Sequence, residues 1–260
     1  MHARLPPALA KSQEHIYLLV VRENEGSGHL LRLVQNQPSL HKHTTSLLMT
    51  SDPPDCAMGE VIPGLWVGNL MSVSKMLQLH HENNINRETH LTIISVLTNP
   101  NLIRLVSDIL EQNRLKQLAK SSDANSHTIR IKHEVIELKD LAETDLLSVL
   151  PNALMLIDDA LGCQTASGSG NGNDDDGNND INQQRICLVQ CARGASRSVS
   201  IVIAYLLSRH GSKFKSFDDA LQRVRRVRPV AQPNIGFSLA LQRFERTLRT
   251  IRRDDNFSLP

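Results

Sequence analysis

The chain has 260 residues, 40% of them hydrophobic, which is enough to bury the core of one good-sized domain with extensions. Its formal net charge of +2 gives no overall attraction to nucleic acid or to a membrane surface, and an aromatic content of 3% argues against stacking of single-stranded bases. The cysteine spacings are typical of neither a secreted disulfide framework nor a zinc site. No signal peptide is evident, and the longest apolar run, about ten residues, is too short to span a bilayer. We therefore expect a reducing compartment, cytoplasmic or nuclear.

The first 58 residues form an N-terminal extension in our interpretation. Two apolar runs, 16–21 and 29–34, flank a Glu/Asn/Gly-rich segment and predict a β-hairpin. Residues 35–58 are rich in Ser, Thr, His and Pro and predict a linker. A segment that docks a partner and a poorly ordered extension both fit this composition.

Residues 59–250 predict one folded domain, and residues 251–260 a C-terminal tail. The elements expected in chain order are a strand and turn at 60–69, a helix at 72–83, a strand at 91–97, an added helix at 101–120, a strand at 128–137, a helix at 146–161, a strand at 186–189 and a helix after it. Such alternation predicts an α/β fold with a central, mostly parallel twisted sheet of four or five strands and helices on both faces.

An Asn/Asp/Gly-rich insertion, residues 164–185, interrupts this domain. Its composition cannot bury enough apolar surface to offset the entropy of ordering, so we predict that it is disordered. Its aspartates lack the spacing and the closing glutamate of a calcium loop, and we predict no metal site.

The stretch from Gln190 to Ser198 joins the strand at 186–189 to a helix that begins at Arg197 or Ser198. The N–H groups of such a loop and of the first helical turn have no internal partners, so they form an anion site. Gly194 allows the sharp bend that the loop needs. Arg197 supplies a planar, permanently charged fork that matches two phosphate oxygens.

Cys191 lies at the floor of this anion site. A helix N-terminus and a neighbouring arginine favour the thiolate, which is the nucleophilic form of cysteine. Ser198 is placed to hydrogen-bond the sulfur and to assist its departure as a leaving group. The predicted nucleophile is therefore Cys191.

Residues 187–209 resemble the active-site segment of the dual-specificity phosphatases, within the cysteine-dependent protein tyrosine phosphatase superfamily. The resemblance rests on Cys191, five residues, Arg197 and Ser198, with Gly194 and Ser196 between them. It implies catalytic roles for Cys191, Arg197 and Ser198. The residues expected to bind the phosphate are Ala192, Arg193, Gly194, Ala195 and Ser196, together with Arg197. Gln190 replaces the histidine that usually precedes the cysteine, shapes the loop and favours the thiolate, so we expect a slower enzyme.

The resemblance also implies an acid on the loop after the strand at 128–137, where it protonates the leaving oxygen. Asp140 fits the expected offset from Leu146, while Glu143 and Asp145 are competitors and Asp145 also fits the N-cap of the next helix. Residues 228–237 resemble the family's closing motif, in which Asn234 braces the active-site region. The resemblance then covers residues 60–250 through four motifs in order.

The implied activity is a protein phosphatase that hydrolyses phosphotyrosine and phosphoserine or phosphothreonine through a phosphocysteine, without metal or cofactor. The expected partners are phosphorylated proteins, kinases among them. The alternatives are a phosphoinositide or RNA 5′-phosphatase and a weakly active pseudophosphatase scaffold. The seven Lys or Arg from Arg209 to Arg228, both ends included, form either a basic rim that attracts acidic substrates or a solvated helix face.

Overall fold

The computed structural model describes residues 17–22, 29–34, 57–82, 88–120, 129–163 and 183–257, and the chain divides into two compact units after Ser51. The first unit contains an antiparallel pair of strands, β1 (Tyr17–Arg22) and β2 (His29–Val34). These strands lie in the two apolar runs in which the sequence predicts a hairpin. The predicted linker lies, as far as residue 56, outside the described residues.

The second unit alternates strands and helices. Its strands are β3 (Met58–Ile62), β4 (Leu65–Gly68), β5 (Glu88–Val96), β6 (Ile129–Ile136) and β7 (Gln183–Gln190). Its helices are α1 (Ser72–Glu82), α2 (Pro100–Lys120), α3 (Leu150–Leu161) with a preceding 3-10 turn (Leu147–Val149), α4 (Arg197–Arg209), α5 (Phe217–Val227) and α6 (Ile235–Phe257). The added helix predicted at 101–120 is therefore present as α2.

The five strands form one sheet in the order β3-β4-β7-β5-β6. The β3–β4 pair is antiparallel, whereas β4–β7, β7–β5 and β5–β6 are parallel. This confirms the predicted mostly parallel α/β sheet. The carboxyl ends of the parallel strands meet at one edge of such a sheet, where ligands bind, and β7 is the central strand.

The main core lies between one face of this sheet and helices α3 to α6. Ile94, Val96, Cys187 and Val189 point into it, so the alternate residues of β5 and β7 point to the opposite face. On that opposite side α2 packs against β6 and α1 packs against α2. Helix α4 is buried from residue 198 to residue 207, as its apolar sequence predicts. Within the described residues, no helix has both the length and the apolar character that a bilayer span requires.

Two predicted boundaries need correction. The insertion predicted at 164–185 ends earlier, because residues 183–185 belong to β7 and pair with residues 88–90 of β5. The residues at 183–185 are polar, so the hydrophobic pattern of the sequence does not reveal that backbone pairing extends the strand through them. Residues 164–182 lie outside the described residues. The tail predicted at 251–260 is helical as far as Phe257, and Arg252 donates to the carbonyls of Leu207 and Ser208 at the end of α4.

Candidate active site

The loop between β7 and α4, residues 191–196, begins at the carboxyl end of the central strand, beside the end of β4. The N–H of Cys191 donates to the Gly68 carbonyl at 3.3 Å, which continues the pairing of the two strands. Gly194 has a φ of 63°, and a Cβ on it would lie 2.5 Å from the carbonyl carbon of Gly68. The sharp bend predicted at Gly194 is thus present, and its close approach to β4 excludes a side chain.

Each carbonyl from residue 192 to residue 196 accepts a hydrogen bond from outside the loop. The donors are Leu70 N–H for Ala192 (3.5 Å), the Arg228 guanidinium for Arg193 (2.9 Å) and Gly194 (3.2 Å), Gln232 N–H for Ala195 (2.7 Å) and Ser200 N–H for Ser196 (2.8 Å). The N–H of a trans peptide unit points away from its C=O, so the amides of residues 193–197 turn toward the centre of the loop. This ring of N–H groups at the start of α4 is an anion site.

The sulfur of Cys191 lies at the floor of this ring and is almost fully buried. It accepts a hydrogen bond from Gly194 N–H at 3.3 Å, and Ser198 Oγ lies 3.2 Å away. The Ser198 hydroxyl can also donate to the Gly68 carbonyl at 3.4 Å, but it has a single proton. A thiolate would draw that proton toward sulfur, so Ser198 is placed to stabilise the charge whenever it forms.

Cys187 shows how differently a thiol behaves without such donors. It lies on β7 in the apolar core, and burial raises its pKa well above the ordinary value. The two cysteines are four residues apart, yet Cys191 alone among the described cysteines lies at an anion site. Cys187 is therefore a core residue.

Arg197 and Asp140 come together above the loop. Arg197 Nε lies 3.7 Å from Asp140 Oδ2, and the arginine side chain is only 13% exposed. Its buried Nε has no hydrogen-bond partner among the described residues. The guanidinium is therefore at the mouth of the amide ring with donor capacity that a phosphate oxygen could use. Arg193, the other arginine of the loop, is exposed.

Asp140 is held by a hydrogen-bond network from the loop and from the closing motif. Its Oδ1 accepts from Ser196 Oγ at 2.6 Å and from Asn234 Nδ2 at 2.9 Å. Asn234 N–H donates to Ser196 Oγ at 3.1 Å, and Asn234 Oδ1 accepts from Phe237 N–H at 2.9 Å. Asn234 thus orients the carboxylate and starts α6 with one side chain, which is the bracing position that the resemblance implies.

The two competing carboxylates lie elsewhere. Asp145 Oδ1 accepts from the N–H groups of Leu147 and Ser148, at 3.0 and 3.3 Å, so it caps the 3-10 turn before α3. Glu143 is exposed on the same loop. Of the three candidates, Asp140 is the one that the structure brings to the phosphate loop.

We expect Asn234→Ala to lower kcat about tenfold, because Asp140 loses a donor that fixes its orientation. The loss should be smaller than that of removing the Asp140 carboxylate itself, since Ser196 still donates to it. Steady-state hydrolysis of an aryl phosphate measures the effect. Asn152→Ala, at an exposed position of α3, is the matched control. An unchanged kcat for Asn234→Ala would show that Asp140 does not need this support.

Gln190 is fully buried at the end of β7. Its Nε2 donates to Ser95 Oγ on β5 at 2.6 Å, whereas its Oε1 has no hydrogen-bond partner among the described residues. The side chain therefore supports the loop from below through one hydrogen bond and brings no charge to the thiol.

The sequence did not single out Arg228 as a supporting residue. Its side chain is fully buried, and its guanidinium holds the Arg193 and Gly194 carbonyls that orient two of the inward amides. In the predicted basic run, Arg223 and Arg225 likewise donate to backbone carbonyls, those of Val61 and Ala231. Arg228 is therefore excluded from a basic rim, because its side chain is buried. Arg223 and Arg225 are partly used in hydrogen bonds to the backbone. The position of Arg228 directly before Pro229, at the start of the closing motif, was the available signal.

Arg228→Met should lower the free energy of unfolding by about 2–4 kcal/mol, since each buried carbonyl without a donor costs about 1–3 kcal/mol. Urea denaturation measures this effect, and the control is Arg226→Met, which removes an exposed arginine two residues away. Equal stability of the two variants would contradict the supporting role of Arg228.

Together the fold and the site define a cysteine-based phosphate-ester site: a nucleophile inside an amide ring, an arginine and an oriented carboxylate. Residues 178–247 match the family model described as "Dual specificity phosphatase, catalytic domain". Dual specificity protein phosphatase 1B of Arabidopsis thaliana is 37% identical over 117 residues, which cover 45% of this chain and 56% of that protein.

Two further relatives are also named dual specificity phosphatases. Mouse dual specificity phosphatase 28 is 48% identical over 63 residues, covering 24% of this chain and 37% of that protein. Dual specificity protein phosphatase 1 of Arabidopsis thaliana is 28% identical over 186 residues, covering 69% of this chain and 79% of that protein. The chain thus spans 56% and 37% of the first two relatives' lengths. Its catalytic segment is therefore similar to the dual-specificity phosphatases.

Proposed function

We propose that the chain hydrolyses phosphate monoesters on proteins by way of a phosphocysteine. The observation that carries the proposal is the ring of inward amides around Cys191, with Arg197 at its mouth and Asp140 oriented above it. These groups could hold the three equatorial oxygens of a phosphoryl group while the sulfur lies in line beneath the phosphorus.

In the first step, the Cys191 thiolate forms a bond to phosphorus while the bond from phosphorus to the leaving oxygen breaks. Asp140, protonated, gives its proton to that oxygen, so the alcohol or phenol leaves uncharged. Backbone N–H groups and Arg197 bind the phosphoryl oxygens throughout, and their charge complements the transition state.

In the second step, water attacks the phosphocysteine and the bond between sulfur and phosphorus breaks. The Asp140 carboxylate takes a proton from the attacking water, and inorganic phosphate is formed. The departing thiolate receives the hydroxyl proton of Ser198 as a hydrogen bond, which the 3.2 Å separation allows. The enzyme returns to its starting state without an external electron donor or acceptor.

Protein-bound phosphate is the proposed substrate class: phosphotyrosine together with phosphoserine or phosphothreonine, on signalling proteins that include kinases. The relatives named dual specificity protein phosphatases support this choice over a lipid or an RNA 5′ end. We propose a reducing compartment, cytoplasmic or nuclear, since Cys163, Cys187 and Cys191 are free thiols.

A substrate panel tests this function. It compares kcat/KM for phosphotyrosine and phosphothreonine peptides, a soluble phosphoinositide and a 5′-triphosphorylated RNA. The proposal predicts the highest kcat/KM for the peptides. Preferential turnover of the lipid or the RNA would assign the site to the corresponding other substrate. An inert wild type that regains turnover in Gln190→His would favour a scaffold that binds phosphate.

A further inference from the structure

A chain of three polar side chains leads from the residue before the nucleophile to the edge of the sheet. Gln190 Nε2 donates to Ser95 Oγ at 2.6 Å, and Ser95 Oγ lies 2.8 Å from His133 Nε2. The three residues belong to the adjacent strands β7, β5 and β6 and share the sheet face that carries α2. Gln190 and Ser95 are fully buried, while His133 is half-buried on the edge strand. A partly solvated imidazole is thus linked to the floor of the active site.

The proton positions in this chain follow from counting donors. Ser95 accepts from the Gln190 amide, so its single hydroxyl proton is free to go to His133 Nε2, which then needs a lone pair. Burial lowers the pKa of His133, and the charge of Glu134 opposes this as the smaller effect. Helix α2, which packs against β6, contributes Asn113 as its buried polar side chain among the described residues, and that side chain is uncharged. At neutral pH the imidazole is therefore neutral and accepts the serine proton.

We propose that His133 is a positioning residue for the nucleophile, acting through Ser95 and Gln190; this rests on the phosphatase function proposed above. The Gln190 side chain is anchored by Nε2, because its Oε1 has no partner among the described residues. The next residue in the chain is Cys191, whose N–H is bonded to Gly68. Loss of the anchor frees the amide to rotate and displaces the backbone that carries the sulfur.

Protonation of His133 reverses the direction of the hydrogen bonds that link His133, Ser95 and Gln190. An imidazolium donates to Ser95 Oγ, and the serine proton then turns toward Gln190, which must present Oε1 in place of Nε2. The amide has to rotate, and the support below Cys191 changes. Because the pKa of His133 is lowered, this occurs as pH falls below about 6.5, the ordinary histidine value. This change in the support below Cys191 contributes to the loss of activity on the acid side of the pH–rate profile. The contribution disappears once the imidazole is removed.

The test is a double-mutant cycle on kcat for aryl-phosphate hydrolysis, with wild type, His133→Ala, Gln190→Ala and the double variant. His133→Ala should lower kcat about tenfold at little-changed KM, and should have no further effect in the Gln190→Ala background. The pH–rate profile of His133→Ala should also lack the part of the wild-type acid side that comes from protonation of His133. His90→Ala, on neighbouring β5, is the matched control and should keep wild-type kcat. A wild-type kcat for His133→Ala, or an equal loss in both backgrounds, would overturn the proposal.

Ser95→Ala keeps the test decisive if removal of the imidazole prevents folding, because it deletes the central hydroxyl with little change in volume. Ser95→Ala should lower kcat as much as His133→Ala. Full activity in a folded Ser95→Ala protein would refute the positioning role of the hydrogen-bond chain. The two proposals fail separately. A wild type without turnover defeats the phosphatase function, whereas turnover that needs Cys191 but ignores Ser95 and His133 defeats the positioning role alone.

Discussion

Cys191→Ser should lower kcat for aryl-phosphate hydrolysis by at least about 10⁴-fold, since an alcohol at neutral pH cannot replace the thiolate as nucleophile. The substitution changes one buried atom, and the serine can still accept from Gly194 N–H and contact Ser198. The amide ring and Arg197 remain, so the variant should still bind a phosphopeptide. Steady-state kinetics and calorimetric binding measure the two halves of this expectation.

The control for this prediction is Cys163→Ser, which changes an exposed free thiol and should leave kcat at the wild-type value. Undiminished turnover by Cys191→Ser would remove the nucleophile from the mechanism and, with it, the proposed function. Lost binding together with lost turnover would instead point to a collapsed loop, which thermal unfolding of the variant would reveal.

Asp140→Asn should lower kcat by about 10²–10⁴-fold for phosphoserine and other alkyl esters, whose leaving oxygen must be protonated. For p-nitrophenyl phosphate the first step should be much less affected, because nitrophenolate leaves without a proton. The structural reason for choosing Asp140 is its pair of donors, Ser196 and Asn234, which aim the carboxyl group at the mouth of the loop.

Asp145→Asn is the matched control. Asparagine is as good a cap as aspartate, so the 3-10 turn keeps its hydrogen bonds and activity toward both esters should persist. An equal loss for the two esters in the rate of the first step, followed as release of the alcohol or phenol in the first turnover, would mean that Asp140 acts on binding or on loop shape and is not the acid. A larger loss in Asp145→Asn would transfer the acid role to that residue.

The sequence allowed prediction of the parts of the fold that depend on local patterns. The apolar run before Cys191, the glycine at the bend and the apolar helix after it specify a strand, a loop and a helix in consecutive order. The cap at Asp145, whose Oδ1 accepts from Leu147 N–H at 3.0 Å, is equally local. These features require no knowledge of the rest of the chain.

Contacts between distant segments could not be predicted in this way. Arg228 looks like one of several basic residues near a helix end, and only folding brings its guanidinium against carbonyls more than thirty residues earlier in the chain. The link between Gln190, Ser95 and His133 depends on the register of three strands, which the sequence does not specify residue by residue. The first residues of β7 are polar, so their strand character comes from pairing with β5.

The most direct test of the central claim is to trap the phosphoryl group on Cys191. In Asp140→Asn, p-nitrophenyl phosphate should still phosphorylate the thiolate, while the second step lacks the base that activates water, so the intermediate should accumulate. Rapid quenching followed by peptide mass spectrometry locates it. We predict one phosphoryl group on the peptide that contains Cys191. A phosphoryl group on another residue, or turnover with no phosphorylated enzyme and no dependence on Cys191, would contradict the account.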